Sequence, residues 1–512
     1  MRTLERRWDL PVIAFLVVLI VGAAVRLCFA DANSYWLDEL YSVTVYGTAN
    51  ETISGAMNRV TRSVQLPLYY FVLYIWMAIF GDSEIATRSL SNLFIIGATI
   101  CLFLTIRKLY GPWLGVIVSL VFTLMFTTTY YGMETRGYAQ SIFLTSLSTL
   151  ILTYALPCLA NRSWRLLVRN GWVYALLATN FALLMTHYYN ALFLATQSLF
   201  IAIYLLYRNK TGNINGLLKA FVVSIAPVIT LIVIWAPFIL ATYRRNARKY
   251  VVDGLPDVPW EMLSKLVISP NFGHHYVYAL ILILITAITV VTTIRLVKRP
   301  VEQTLFTFWF CLAVLAPILI AFTLFTISGH QRYSARYFSF CAGPLAVLVV
   351  LAIYETLTLL CRTVQVVKPS IVLSLTAAIG GAFAFPGGLD ALQKPKDDWR
   401  GIAKAIVSRI NSEPNKSFAV YETTFKNFPT LNYYLSRYSN DIRVSSVLQK
   451  GKEKLPVPVE FTPLDEDYAI VAFTHHTSEK FPKTLRAVND KMTLLEDHLD
   501  QDGYGYLVFK PR

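Results

Sequence analysis

Leu66-Pro67-Leu68-Tyr69-Tyr70-Phe71-Val72-Leu73-Tyr74-Ile75-Trp76-Met77-Ala78-Ile79-Phe80 is the stretch on which the fold turns. It is apolar and aromatic throughout, but at about 15 residues it is short of the ~20 that a helix needs to cross hydrocarbon. Longer apolar runs flank it. One precedes it at 10–30. The others follow at roughly 86–106, 113–130, 139–160, 171–186, 191–207, 218–241, 276–294, 303–326, 338–358 and 369–386. If the short run crosses, Arg107-Lys108 and then Arg162, Arg165 and Arg169 fall outside. If it lies along the outer surface, those residues fall inside, together with Arg208, Lys210, Arg295, Lys298, Arg299, Arg362 and Lys368, as the bias of cytoplasmic loops toward Lys and Arg requires. The second choice satisfies loop after loop. It predicts about eleven spans, a cytoplasmic N-terminus, and a juxtamembrane helix over 66–80.

The composition agrees with a polytopic α-helical protein of the cell inner or plasma membrane: 55% of residues are hydrophobic and only 15% charged. The run at 10–30 follows Arg2, Arg6 and Arg7 and precedes Ala30-Asp31-Ala32, which resembles a signal-peptidase site. It is longer than a signal peptide's apolar core, so it is read as a retained first helix. From about Lys394 onward, charges mix with short apolar runs, as in a soluble domain. The expected organisation is a membrane domain over 1–389, with its first external loop at 31–85, and a small extracytoplasmic α/β domain over 390–512. In that tail Asp398–Ile410 reads as an amphipathic helix, and 418–421, 467–473 and 504–509 read as strands. The net charge of +15 is explained first by the Lys and Arg excess of cytoplasmic loops, and its spread over short loops argues against a nucleic-acid partner; the partners expected are membrane lipids and substrate. The six cysteines all lie in or beside apolar runs and outline neither a disulfide framework nor a metal site.

This sidedness has a consequence. It leaves the outer loops holding acids, histidines, arginines and tyrosines at the membrane surface. Tyr35-Trp36-Leu37-Asp38-Glu39-Leu40-Tyr41-Ser42 follows the first span and offers an acidic pair able to act as a general base. The plain structural alternative is a helix N-cap at Asp38 within an aromatic belt. Tyr130-Tyr131-Gly132-Met133-Glu134-Thr135-Arg136-Gly137-Tyr138 brings a second acid and an arginine able to meet a phosphate, if a non-helical turn lets them face one another. His187, with Tyr188 beside it in Thr186-His187-Tyr188-Tyr189-Asn190, lands on the same face, although a lone interfacial histidine is more often structural. Arg244, Arg245, Arg248 and Lys249 form a basic run on the outside, against the usual trend. Such a run needs an anionic partner, a phosphate being the simplest, or else headgroups. Arg336 and Tyr337 open the tenth span, where snorkelling is the alternative. No nucleotide-binding glycine loop, HExxH or GxSxG motif is present.

Together these residues resemble the polyprenyl-phosphate-sugar-dependent glycosyltransferases of the GT-C type, the group of the protein O-mannosyltransferases and lipid A aminoarabinose transferases. The resemblance rests on Leu37-Asp38-Glu39, Pro67-Leu68-Tyr69-Tyr70 before Gly81, Arg88-Ser89-Leu90-Ser91, Arg107-Lys108-Leu109-Tyr110-Gly111, Glu134 with Arg136 and Tyr138, Arg336-Tyr337, and Lys396-Asp397-Asp398-Trp399-Arg400. Where relatives often carry His or Lys with Pro before the Pro-Leu pair, this chain has Val64-Gln65-Leu66.

The resemblance implies a GT-C-like fold with juxtamembrane helices, an essential acid at Asp38 and a second acid at Glu134, with Glu39 grouped with them as catalytic. The partners it implies are a polyprenyl-phosphate sugar donor and a lipid, glycan or protein acceptor, the sugar being a hexose or pentose. No cofactor is firmly implied, although Glu134 and His187 could hold a divalent ion with Asp38. The expected reaction inverts the anomeric centre at the external face of the membrane. Arg136, Tyr138, His187, Tyr188, Arg244, Arg245, Arg248, Lys249, Arg336 and Tyr337 are the expected substrate contacts. The rival expectation is a lipid or sugar transporter or flippase. Transporters place polar groups at mid-membrane and often carry inverted repeats, and no such repeat is visible.

Overall fold

The computed structural model describes residues 10–45, 52–61, 66–160, 169–208, 259–268, 302–328, 334–364, 368–394, 396, 398–422, 430–439, 444–446, 448–450, 456–458, 467–473, 492–499 and 505–511, with isolated positions between 218 and 294 and at 442. It divides into two compact units, one of 1–30 with 45–394 and one of 31–44 with 395–512. The boundary expected at 389 falls inside a helix, Pro369–Gln393. The segment 31–44, expected to belong with the membrane helices, groups with the C-terminal residues instead.

The first unit is helical. Its elements are α1 (Leu10–Phe29), then, after the α2 segment of the other unit, α3 (Ile53–Thr61), α4 (Pro67–Phe80), α5 (Glu84–Tyr110), α6 (Pro112–Leu124), α7 (Phe126–Gly132), α8 (Tyr138–Leu159), α9 (Gly171–Leu184), α10 (Asn190–Arg208), α11 (Pro259–Val267) and α12 (Glu302–Ser328), a 3-10 turn at Ala335–Cys341, α13 (Ala342–Val364) and α14 (Pro369–Gln393). Among the described residues, seven helices are long and apolar enough to cross a membrane, or eight if α6 and α7 count as one span bent by 63° at Met125. The chain is therefore a polytopic helical membrane protein. The run at 113–130 is broken rather than straight, and the run at 171–186 yields a helix of 14 residues. The runs at 218–241 and 276–294 lie almost wholly outside the described residues.

The short run at 66–80 folds as α4, opened by Pro67 and closed by Gly81 at φ 82°, a backbone conformation that glycine adopts without strain. Both its ends lie at one end of the helix bundle. Leu68 N donates to Met185 O (3.1 Å), just past α9, and Trp76 Nε1 donates to Ala86 O (2.7 Å), in the first turn of α5. Arg88 Nη1 donates to Ala30 O (2.6 Å), tying the start of α5 to the end of α1. The run thus returns the chain to the end of the bundle where α1 left it, which is what the charge argument requires. At the opposite end Lys108 Nζ donates to Thr153 O (2.8 Å), and Tyr110 OH to Gln303 O (2.8 Å).

Inside the bundle, three side chains from different helices close a ring. Ser148 Oγ donates to Asn180 Oδ1 (2.7 Å), Asn180 Nδ2 to Gln197 Oε1 (2.7 Å), and Gln197 Nε2 to Ser148 Oγ (2.8 Å). Where the surroundings offer no water, such mutual satisfaction is what allows polar groups to join α8, α9 and α10.

In the second unit, α2 (Leu37–Val45) comes first in sequence. The C-terminal part contains α15 (Trp399–Asn411), α16 (Thr430–Leu435) and a five-stranded mixed sheet in the order β2-β1-β5-β7-β6. These strands are β1 (Phe418–Glu422), β2 (Val444–Ser446), β5 (Tyr468–Phe473), β6 (Met492–Leu499) and β7 (Gly505–Pro511), with a separate antiparallel pair of β3 (Leu448–Lys450) and β4 (Pro456–Pro458). β1 runs parallel to β2 and β5, while β7 runs antiparallel to β5 and β6. The expected helix and three expected strands are present within a residue or two. Asp398 caps α15 by accepting from Gly401 N (3.0 Å).

Candidate active site

The bundle end that holds both ends of α4 also holds those expected substrate contacts of the first unit that lie among the described residues: Arg136, Tyr138, His187, Tyr188, Arg336 and Tyr337. Residues 133–137 make the non-helical turn that the Glu134–Arg136 spacing requires, closed by Arg136 N donating to Glu134 O (2.8 Å). Two residues of the α5 start anchor it: Ser91 Oγ donates to Glu134 O (2.6 Å), and Thr87 shares a hydroxyl hydrogen bond with Thr135 (2.9 Å). Arg88-Ser89-Leu90-Ser91, one of the motifs carrying the resemblance, therefore fastens this turn and the end of α1. Glu134 is buried and Arg136 nearly so.

His187 sits in the turn between α9 and α10. Its ring lies 5.9 Å from that of Tyr138, 5.6 Å from that of Tyr189, and 5.5 Å from that of Tyr337, on which it stacks. Arg136 lies 6.0 Å from the Tyr138 ring centroid and Arg336 5.2 Å from that of Tyr337. Arg336 Nη2 also donates to Tyr337 OH (3.3 Å). Each arginine thus approaches a tyrosine that touches His187. Burial, and then the Arg136 and Arg336 guanidiniums, push the imidazole's pKa down to about 3. Nδ1 accepts from Tyr189 N (3.3 Å), so the neutral ring carries its proton on Nε2. His187 is a neutral hydrogen-bonding group near two cations. Tyr188 packs half-buried on the hydrophobic core, and its carbonyl accepts from Ala191 N (3.1 Å).

Two residues here escaped sequence reasoning. Tyr189 stacks on Tyr337 (4.8 Å). Lys394, just past α14, lies over the Tyr130 and Phe126 rings (4.9 and 5.3 Å), and its ammonium pKa is lowered by burial and raised by Asp390 and Glu134. A lysine ending an apolar run reads in sequence as a snorkelling anchor, so nothing marked it. Arg244, Arg245, Arg248 and Lys249 lie outside the described residues. Among the described residues no three of His, Cys, Asp and Glu come together as a metal-binding group.

Asp38 and Glu39 belong to the second unit, in the first turn of α2. Leu40 N donates to Trp36 O (3.0 Å), so the helix is already under way at Asp38, which is therefore not its N-cap. Asp38 is half-buried, whereas Glu39 is fully buried and ion-paired to Lys396 (3.1 Å).

No protein-family model matches the chain, and no relative is found among curated proteins. Solved structures do match. ArnT from Cupriavidus metallidurans aligns over 96% of this chain and 97% of its own length. The TM-score is 0.52 for the form bound to undecaprenyl phosphate and 0.53 for the apo form, at 11% and 12% identity. The oligosaccharyltransferase of Archaeoglobus fulgidus, tethered to an acceptor peptide, aligns over 96% of this chain and 74% of its own, with a TM-score of 0.50 and 11% identity. Likeness at such low identity is likeness of fold, and on that ground the chain has the fold of the GT-C membrane glycosyltransferases.

Proposed function

We propose that this protein is a membrane glycosyltransferase that moves a sugar from a polyprenyl-phosphate carrier to an acceptor hydroxyl at the external face of the membrane. The observation that carries this reading is the pair of guanidiniums, Arg136 and Arg336, close to a neutral, tyrosine-lined histidine at one end of a GT-C bundle. Two cations, Arg136 buried and Arg336 half-buried, suit the anion that such a donor releases. Support also comes from ArnT, whose structure holds undecaprenyl phosphate.

In this reading the acceptor oxygen attacks the anomeric carbon as Asp38 takes its proton. The bond from the anomeric carbon to the phosphate oxygen breaks, and the phosphate leaves as an anion toward Arg136 and Arg336. The Arg244–Lys249 run is a further candidate for that anion. Attack opposite the leaving group inverts the anomeric centre. The His187 Nε2–H and the tyrosine hydroxyls are donors suited to a sugar or phosphate oxygen. Glu134 serves as a second acid. A phosphate is already a good leaving group, so the charge of the arginines contributes more than a proton donor would.

The test is bond cleavage. Purified protein in lipid vesicles, given polyprenyl-phosphate sugars labelled in the sugar, should release polyprenyl phosphate and glycosylate an added acceptor. Movement of the intact labelled lipid across the bilayer, with no cleavage, would instead establish the flippase reading.

A further inference from the structure

We infer that Lys396 is a positioning residue for Asp38, and that the start of the C-terminal domain is a clasp that holds the Asp38-bearing helix in place. The inference rests on the proposed role of Asp38. Within the second unit, 31–44 and the residues just after the last membrane helix are joined at several points. Lys396 Nζ pairs with Glu39 Oε2 at 3.1 Å, with the side chains 8% and 0% exposed. The same Glu39 oxygen accepts from Trp36 N (3.4 Å), and Lys396 N donates to Asn33 Oδ1 (3.3 Å). Trp399 N donates to Ser34 Oγ (3.0 Å), and Tyr35 N donates to Tyr434 OH (2.7 Å). Arg400 Nη2 donates to Asp31 O (2.7 Å), and Nη1 pairs with the Asp31 carboxylate. Tyr35, Glu39, Trp399 and Tyr434 are all buried.

The chemistry separates two adjacent acids. Glu39 is enclosed and neutralised by Lys396, so it is committed to structure and does not serve as the second catalytic carboxylate. Asp38 is the preceding residue on the helix, about 100° round from Glu39, and is half-buried. The ion pair therefore fixes the rotation and height of α2, and with them the direction in which Asp38 faces. Removing the lysine takes the neutralising cation away from a buried carboxylate, a cost the loop relieves by opening. The Arg400–Asp31 pair is exposed and contributes little by comparison.

The full-length protein in lipid nanodiscs is compared with its Lys396→Met and Lys396→Arg variants by hydrogen exchange and by transfer kinetics. Lys396→Met should raise amide exchange across 31–44 by at least ~10-fold while leaving β5 and β7 unchanged. It should lower kcat by at least ~10-fold with the donor KM little altered. Lys396→Arg, which restores the charge, should recover most of both. Unchanged exchange in 31–44, or an equal rise in β5, would overturn the clasp. So would a loss carried by KM alone. If the wild-type protein transfers no sugar, the role of Asp38 falls, while the exchange measurement still decides whether Lys396 holds the loop.

Discussion

His187 shows how far the environment of one residue can depart from its identity. Sequence offers an interfacial histidine, a group that titrates near neutrality. Enclosed beside two arginines, it stays neutral down to about pH 3. The unfolded chain takes up its proton near the ordinary value of 6.5, so between that pH and 3 the folded state binds fewer protons. The stability His187 contributes is complete above pH 6.5 and is lost as the pH falls, at up to about 1.4 kcal/mol per pH unit. His187→Gln should therefore flatten the acid side of a pH–stability curve measured by thermal unfolding in detergent. A curve as steep as the wild type's would show that the histidine is charged in the fold. The arginines give a second prediction. Arg336→Ala should weaken binding of polyprenyl phosphate by about 10- to 100-fold, the loss of one charge-assisted contact or two. Isothermal titration in nanodiscs checks it, and unchanged affinity would remove Arg336 from the donor site.

At the scale of elements, α14 approaches its neighbours closely because Gly387 and Gly388 carry no side chain. A Cβ on Gly388 would lie 2.5 Å from Leu124 O, and one on Gly387 would collide with the backbone of Val267 and Ile268. The obstacles are backbone atoms that cannot rotate aside, so Gly388→Ala should destabilise by about 2–3 kcal/mol, measured as a fall in Tm. Asn180→Leu should cost about 1–2 kcal/mol, since it opens the Ser148–Asn180–Gln197 ring and leaves two polar partners in an apolar interior. Elements also show what the sequence made legible. β1, β5 and β7 read clearly because they lie inside the sheet and their apolar runs are unbroken. β6 was missed because it is an edge strand, with Glu496, Asp497 and His498 in its second half and a bulge between Leu494 and Glu496. The bend at Met125 was hidden because hydropathy continues through it. The acids and arginines of the site stood out as polar groups beside apolar runs. The pairing of Glu39 with Lys396, across 357 positions, has no local signature at all.

Among the described residues the helical unit turns on one short helix, α4, that comes back to its starting end. The prediction at this scale concerns sidedness. In a cysteine-free background, Thr52→Cys should react with an impermeant thiol reagent in intact cells, and Glu302→Cys only after permeabilisation. The reverse pattern would mean that the run at 66–80 crosses. The same division places the candidate site at the end that holds Glu134, Arg136, His187 and Arg336, while Lys108 and Tyr110 make contacts at the other end. The account as a whole rests on Asp38 as the base in a glycosyl transfer. Asp38→Asn keeps the shape of the side chain and removes its basicity. Measured side by side with wild type in nanodiscs, the variant should bind polyprenyl-phosphate sugar normally and transfer it at least ~10³-fold more slowly. Transfer at near wild-type rate by that variant would contradict the account.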